Sequence, residues 1–393
     1  MIVDSHSLDI RPISDELLKA VNGSYYPEYL KPGICWSNEL ALHVIELKTC
    51  MPFPEPADCT ELFLADVNRI NEILDGMNAR LMPGGAHPWM DPFKETRLWP
   101  HHYNKIYEAY NKIFDCRGHG WSNLQSCHIN LPFNGDVEFA KLHAAIRVLL
   151  PIMPALAAST PIVDAEIQKC LDHRMEVYRT NSKRIPSVTA AVIPEPVFTK
   201  NDYEREIFQK MYTDIAPYDP EKILQDEWLN ARGAIARFDR SAIEIRVLDV
   251  QECPAADLAV AALIINALKF LIQDGANLLK MQAWQTAPLA EILFATTRDA
   301  EKTMIFNQDY LALFGMRSSQ NVTAGDLWQH IYHITSATTP FPPSLAQHLS
   351  VILNQGTLAS RIINRLNGAI SQESLTKIYG ELCDCLRKGK MFQ

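Results

Sequence analysis

No glycine-rich phosphate loop of the P-loop or dinucleotide kind occurs in this chain, which removes the commonest sequence signatures of nucleotide binding. Basic residues are in deficit. Lys and Arg number 37 against 46 Asp and Glu, for a formal net charge of -9. Nucleic acid is therefore not an expected partner, because phosphate backbones need a basic face. A local cationic pocket for a small anion is still allowed. The nine cysteines are scattered without paired C-x-x-C spacing, and only Cys383 and Cys385 lie close together. Buried thiols, no disulfide framework and a reducing, cytoplasmic setting are expected. The start M-I-V-D-S-H-S lacks the basic and apolar regions of a signal peptide. The longest uncharged run, residues 148–163, is broken by Pro151, Pro154 and Pro161, so no membrane span is expected. Repeats, linkers and low-complexity tracts are also missing, which favours one α+β domain over residues 1–393 with a helical C-terminal portion.

What the chain does carry is strand-like segments charged on one face. Residues 241–249 read S-A-I-E-I-R-V-L-D. Side chains alternate along a strand, so Ile243, Ile245 and Val247 form a β-branched face opposite Ala242, Glu244, Arg246 and Leu248. On a central strand such charges are costly to desolvate unless they meet a metal, a ligand or each other; on an edge strand they face water or pair. Residues 41–49 repeat the pattern. Val44, Glu46 and Lys48 oppose Ile45, Leu47 and Thr49, with Glu39 just upstream. In residues 123–133, Ser126, His128 and Asn130 alternate with Cys127, Ile129 and Leu131. A lone imidazole there reads as a satisfied core group, but beside two carboxylate strands it becomes a candidate ligand.

Helical spacing runs through residues 13–21, 58–80, 97–114, 137–150, 202–212 and 255–273. Five further helical segments follow, at 289–298, 327–335, 345–354, 358–366 and 375–386. The stripe of Tyr103, Ile106, Tyr107, Tyr110 and Ile113 reads as core. Residues 228–238 are separated from 241–249 only by Asp239 and Arg240, a hairpin spacing that brings Arg232 near the charged strand. Residues 189–193 are a short strand candidate, and the strand after residue 79 ends in a glycine turn holding His87. Arg174, Arg179, Lys183 and Arg184 form a basic patch. It is either a solvated loop or a pocket for carboxylates or phosphates, whose geometry the guanidinium fork matches. His330 and His333 share a helix face but lack a third ligand, so they read as structural.

Together these segments resemble the carboxylate–amine ligase family related to glutamate–cysteine ligase, the branch often called type 2. The matching pieces run in family order: residues 39–49 ending E-L-K-T, G-G-A-H-P at 84–88, S-C-H-I-N at 126–130, L-L-P-I-M-P-A-L-A-A-S-T-P at 149–161, D-H-R at 172–174, and I-E-I-R-V-L-D at 243–249. The resemblance implies an antiparallel sheet curved into a funnel-shaped active site with helices packed outside, as in the glutamine synthetase superfamily. It implies ATP with Mg²⁺ or Mn²⁺ in the funnel. The γ-phosphate would pass to a substrate carboxylate, from an amino acid such as glutamate, and an amine would then displace phosphate to give an amide. The implied metal ligands are Glu39, Glu46, His128 and Glu244, the imidazole suiting Mn²⁺ better than Mg²⁺. Arg246 and Arg232 take the catalytic positions, Arg246 beside the phosphates. Arg174, Arg184, His87 and Asn130 are implied substrate or nucleotide contacts, and a homodimer is the implied assembly.

Two departures accompany the resemblance. The family usually begins with a strand carrying G-x-E-x-E, followed by an apolar stretch ending in V-D. Met1-Ile2-Val3-Asp4 matches only that ending. An in-frame G-x-E-x-E upstream of Met1 would restore two metal ligands. The family's H-x-H strand reads His128-Ile129-Asn130, with a neutral amide second. The sequence therefore carries two further readings: a non-catalytic relative that binds a small molecule or nucleotide without turnover, and a metal-dependent hydrolase using the same carboxylates.

Overall fold

In the computed structural model, which describes residues 1–273, 275–317, 321–368 and 370–393, the strands are short and the sheets small. The strands are β1 (Ile2–Asp4), β2 (Glu28–Tyr29), β3 (Ile34–Asn38), β4 (Ile45–Thr49), β5 (Ala79–Leu81) and β6 (Ser126–Pro132). They continue as β7 (Ile162–Val163), β8 (Glu166–Ile167), β9 (Ala234–Arg237), β10 (Ala242–Asp249), β11 (Met304–Ile305) and β12 (Val322–Thr323). Among the described residues they form five antiparallel sheets, ordered β1-β5, β2-β3-β4, β6-β10-β9, β7-β8 and β11-β12. The class is α+β. The one curved sheet expected from sequence is divided into these pieces. Only β6 and β10 exceed five residues, and the proline-rich run after residue 148 turns into a tight turn (Leu150–Ile152) and a short helix (Pro154–Ala157).

β10 is the central strand of its sheet, and its alternation is as expected over the first half. Ile243, Ile245 and Val247 are fully buried in the main core. A bulge between Ile245 and Leu248 then shifts the register, so Leu248 pairs with Cys127 and turns into the core instead of sharing Glu244's face. The hairpin with β9 is present, with Ala242 opposite Arg237 and Glu244 opposite Ile235. It closes through a turn at Phe238–Arg240 and Ser241 in the left-handed region, φ 51°.

Each expected helix is present, although that of residues 58–80 ends at Asp75 and that of residues 97–114 begins only at Asn104, and Gly275–Ala283, Gln308–Leu313 and the short His119–Ser122 and His173–Tyr178 are among those not anticipated. Pro254–Gln273 is long and apolar enough to cross a bilayer by composition alone. Yet 67% of its most apolar window is buried inside the protein, where it packs on Pro343–Gln355 and Gly135–Leu149. It is a core helix. Residues 189–193 are not a strand. A tight turn at Pro186–Val188 leads into left-handed φ values at Ala190 (49°) and Val192 (67°). The turned segment still accepts hydrogen bonds from the Ala231 and Gly233 amides.

The cysteine expectation needs one correction. Cys35 and Cys50 form a disulfide, with Cα atoms 5.4 Å apart. Antiparallel pairing of β3 with β4 sets Cys35 opposite Lys48, two residues from Cys50, so the hairpin makes the pair although the sequence spacing of 15 hides it. The seven other cysteines are free.

Candidate functional site

Two of the small sheets carry the charged strands, and each builds its own cluster. In the first, β3 and β4 pair with Ser37 opposite Glu46, and Ser37 Oγ donates to Glu46 Oε2 at 2.5 Å. Lys48 Nζ stands 3.4 Å from the same carboxylate and 3.1 Å from Glu28 Oε1. Glu39 follows β3 directly. Burial, and then the charge of Glu46, push its pKa up to about 7, while Arg246 and Lys48 pull the other way. That influence of Arg246 links the first cluster to the second. Asn38 Nδ2 donates to Tyr107 Oη at 3.0 Å, and burial followed by the Glu39 charge raises that phenol well above its ordinary value.

The second cluster surrounds Glu244. His128 Nδ1 lies 3.1 Å and Arg246 Nε 3.2 Å from Glu244 Oε1, with Arg237 Nη1 3.8 Å from Oε2. Burial alone would raise the Glu244 pKa, but the hydrogen bond with His128 and the charge of Arg246 outweigh it and hold the group at about 2. Ser126 Oγ bonds the other His128 nitrogen at 2.7 Å. Asn130, exposed, sits opposite Glu244 on β6. So Glu244, Arg246, His128 and Asn130 share one polar face, as the alternation predicts.

Arg237 was not among the sequence candidates. Its side chain is 9% exposed and lies within ion-pair range of Glu227 (3.7 Å), Asp239 (3.0 Å) and Glu244. Period two along β9 carries the signal, since Arg237 opposes Ala242 and therefore shares Glu244's face. Burial, together with a hydrogen bond shared with Asp239, raises Glu227 to about 7.

The remaining candidates lie elsewhere. Arg232 is fully buried and its fork is taken by Glu195, at 2.6 Å from both Nε and Nη2, while Nη1 donates to Ser187 O and Asn230 Oδ1. The hairpin does bring its backbone near Arg246, whose amide bonds Gly233 O, but the side chain runs into the core. Arg174 is buried with its Nε on Asp249. Arg184 is exposed, donating to Ile113 O at 2.8 Å with its guanidinium over Tyr218. Arg179 pairs with Glu176. The basic patch therefore disperses: the helix His173–Tyr178 turns Arg174 inward, and the residues after it diverge. His87 is fully buried, Nε2 on Leu8 O at 2.8 Å, and burial lowers its pKa to about 4. Its turn is held by close packing, since a Cβ on Gly85 would lie 2.7 Å from Asp249 Cγ. His330 bonds Phe314 O, consistent with a structural role.

Among the described residues no group of three or more His, Cys, Asp or Glu side chains is arranged to hold a metal ion. The four candidate ligands form two pairs. Glu39 and Glu46 fit a divalent cation better, because burial first and the Glu46 charge second raise Glu39, and a cation would offset both. Mg²⁺ is commonly held by one or two carboxylates with water and phosphate oxygens. Glu244 and His128 already satisfy one another. A cavity of about 450 Å³ opens at the disulfide end of β3 and β4, lined by Leu30, Lys31, Cys35, Lys48, Thr49 and Cys50, away from Glu244.

The sequence profile of Glutamate-cysteine ligase family 2 matches residues 2–299. An uncharacterized protein of Archaeoglobus fulgidus is 35% identical over 263 residues, 67% of this chain and 70% of that protein. A protein of Cupriavidus metallidurans named "Putative glutamate--cysteine ligase 2" is 28% identical over 165 residues, 41% of this chain and 40% of its own. A protein of the same name from Ralstonia pickettii is 28% identical over 176 residues, again 41% and 40%. The match spans about two-fifths of each of these two named relatives.

Proposed function

The chain belongs to glutamate–cysteine ligase family 2, and from that premise we propose that it is an ATP-dependent carboxylate–amine ligase acting on an amino acid such as glutamate. The observation that carries the reading is the convergence of His128, Arg246 and Arg237 on Glu244, electrostatically joined through Arg246 to the acidic pair Glu39 and Glu46. Family ligases generally use ATP and a divalent metal. Phosphoryl transfer asks a protein mainly for positioning and for neutralisation of phosphate charge.

In this reading the polar faces of β4, β6 and β10 line the funnel. The γ-phosphoryl group passes to the substrate carboxylate, leaving ADP. An amine then attacks the acyl carbon, phosphate departs, and the attacking nitrogen loses a proton as the amide forms. Arg246 offers a positive charge to the transferring group, and Glu244 fixes its Nε side. Glu39 and Glu46 would hold the divalent cation, which supplies charge neutralisation at the phosphates. His128 and Ser126 orient Glu244.

A second reading is a relative that binds nucleotide without turnover, favoured by the absence of a three-ligand metal group among the described residues. Phosphate release from ATP with Mg²⁺ or Mn²⁺ across an amino-acid panel separates the two. Turnover dependent on one amino acid and one amine supports the ligase. Calorimetric ATP binding with no phosphate release under any combination supports the second reading.

A further inference from the structure

Beside Arg246 lies a group of buried hydrogen-bond donors that the charge clusters do not use. Tyr178 Oη, Trp121 Nε1, Arg174 Nη2 and Arg246 Nε are all sealed from solvent without a hydrogen-bond partner. Arg246 Nε does face Glu244 at 3.2 Å, but as an ion pair and not a hydrogen bond. The elements that carry them pack together. His119–Ser122, which carries Trp121, packs on His173–Tyr178, which carries Arg174 and Tyr178. Arg174 Nη1 reaches the Arg246 carbonyl at 3.5 Å, and Tyr178 and Tyr110 are among the groups electrostatically closest to Arg246.

A buried donor left unmade is destabilising, so several such donors in one place call for an acceptor. Acidic groups nearby are committed or set apart. Asp249 is taken by Arg174 Nε and by Ser159 and Thr160, and Glu244 by His128. Asp172 is the exception, accepting from the Met175 amide through Oδ1 while its buried Oδ2 has no partner, and Asp226 accepts from the Trp228 amide. Next to the donors is a surface of half-buried rings. Tyr110 lies 5.2 Å from Trp121 and 5.8 Å from Trp228 between centroids, and Phe114 stacks on Trp121 at 5.2 Å. Aromatic surfaces of this kind favour flat apolar ligands.

We propose that Tyr178, Trp121 and Arg246 form a carboxylate site whose ligand lays a flat side chain on the Tyr110, Trp121 and Trp228 rings, so that the amine acceptor is an α-amino acid with an aromatic side chain. The role as acceptor rests on the ligase reading; the binding does not. The carboxylate accepts from Tyr178 Oη and Trp121 Nε1, Arg246 adds its positive charge from its place beside Glu244, and the rings hold the side chain.

The test is calorimetric titration of the full chain, without ATP, with L-phenylalanine, with L-phenylalaninol (no carboxylate) and with L-alanine (no ring). Phenylalanine should bind at least about 10-fold more tightly than either analogue, the scale of a hydrogen bond to a charged group. Tyr178→Phe, which removes one donor and keeps its ring, should weaken phenylalanine about 10-fold and leave phenylalaninol unchanged, whereas Trp121→Phe, which removes a donor and also shrinks one of the rings, should weaken both. Equal binding of phenylalanine and phenylalaninol, or phenylalanine affinity untouched by both variants, overturns the site. Phosphate release measured in parallel keeps the two ideas apart. Turnover with other acceptors but no phenylalanine binding removes this site alone, whereas donor-dependent binding with no turnover on any acceptor removes the ligase reading alone.

Discussion

His128 Nδ1 stands 3.1 Å from Glu244 Oε1, across neighbouring antiparallel strands. That contact is the meeting point of two segments 116 residues apart in sequence, and it keeps a mostly buried carboxylate ionised. With Glu244 held at about 2, the carboxylate is a fixed negative charge throughout the neutral range, and Arg246 is oriented against it. In the proposed ligase reading, such a fixed, pre-paired arginine needs no reorganisation when charge moves on the transferring phosphate.

Glu244→Gln should therefore release Arg246 and Arg237 from their common partner. Phosphate release with ATP and Mg²⁺ is expected to fall at least about 100-fold, the scale of losing a preorganised electrostatic contact. The folded state should survive, since the amide keeps the shape and can still bond His128. Turnover equal to that of the parent protein would remove Glu244 from the reaction.

The charged faces were legible in sequence because a strand's period is two and needs no partner to be read. Glu244, Arg246, His128 and Asn130 came out of that rule. What it could not show was where the register slips. The bulge after Ile245 moves Leu248 into the core and lets Asp249 meet Arg174. Nor could composition tell a buried arginine with its own carboxylate from one facing a ligand. Arg232 came from the hairpin spacing and Arg174 from the basic patch, both joined by the resemblance, and only the fold shows Glu195 and Asp249 waiting for them. Arg237 was readable on β9, but its importance depends on Glu227 and Asp239 closing around it.

Glu39 gives a pH signature of definite sign. Its folded pKa of about 7 lies above the ordinary 4.5, so the folded state binds the extra proton between those values. Its contribution to stability is complete below about 4.5 and is lost as pH rises towards 7. Glu39→Gln should flatten that part of a stability–pH curve measured by urea unfolding. Mg²⁺ affinity should rise over the same interval, because binding needs the deprotonated carboxylate. An identical curve in the variant would mean Glu39 titrates normally.

The Cys35–Cys50 disulfide joins β3 to β4, the hairpin that presents Glu46. Closing a loop of this length restricts the unfolded chain by about 3 kcal/mol. The double variant Cys35→Ser, Cys50→Ser should lose stability of that order in urea unfolding, and a reducing agent should destabilise the parent protein but not the variant. Equal midpoints for the oxidised and reduced parent protein would show that the bridge contributes nothing.

Arg232 allows a structural role to be told from the catalytic one proposed for Arg246. Its guanidinium is 1% exposed and clasped by Glu195, which keeps 31% of its side-chain surface in solvent. Removing one member of a buried pair costs about 3–5 kcal/mol, and the lower end applies because water can still reach the carboxylate left behind. Arg232→Met should therefore shift urea unfolding by about 3 kcal/mol. Specific activity should follow the folded fraction, so that at low temperature, where the variant is folded, phosphate release approaches that of the parent protein. Arg246→Met should do the reverse, with turnover lost in a protein that stays folded. If Arg232→Met instead abolishes turnover with no change in unfolding midpoint, its fork works on the substrate and Glu195 is the group that lets go.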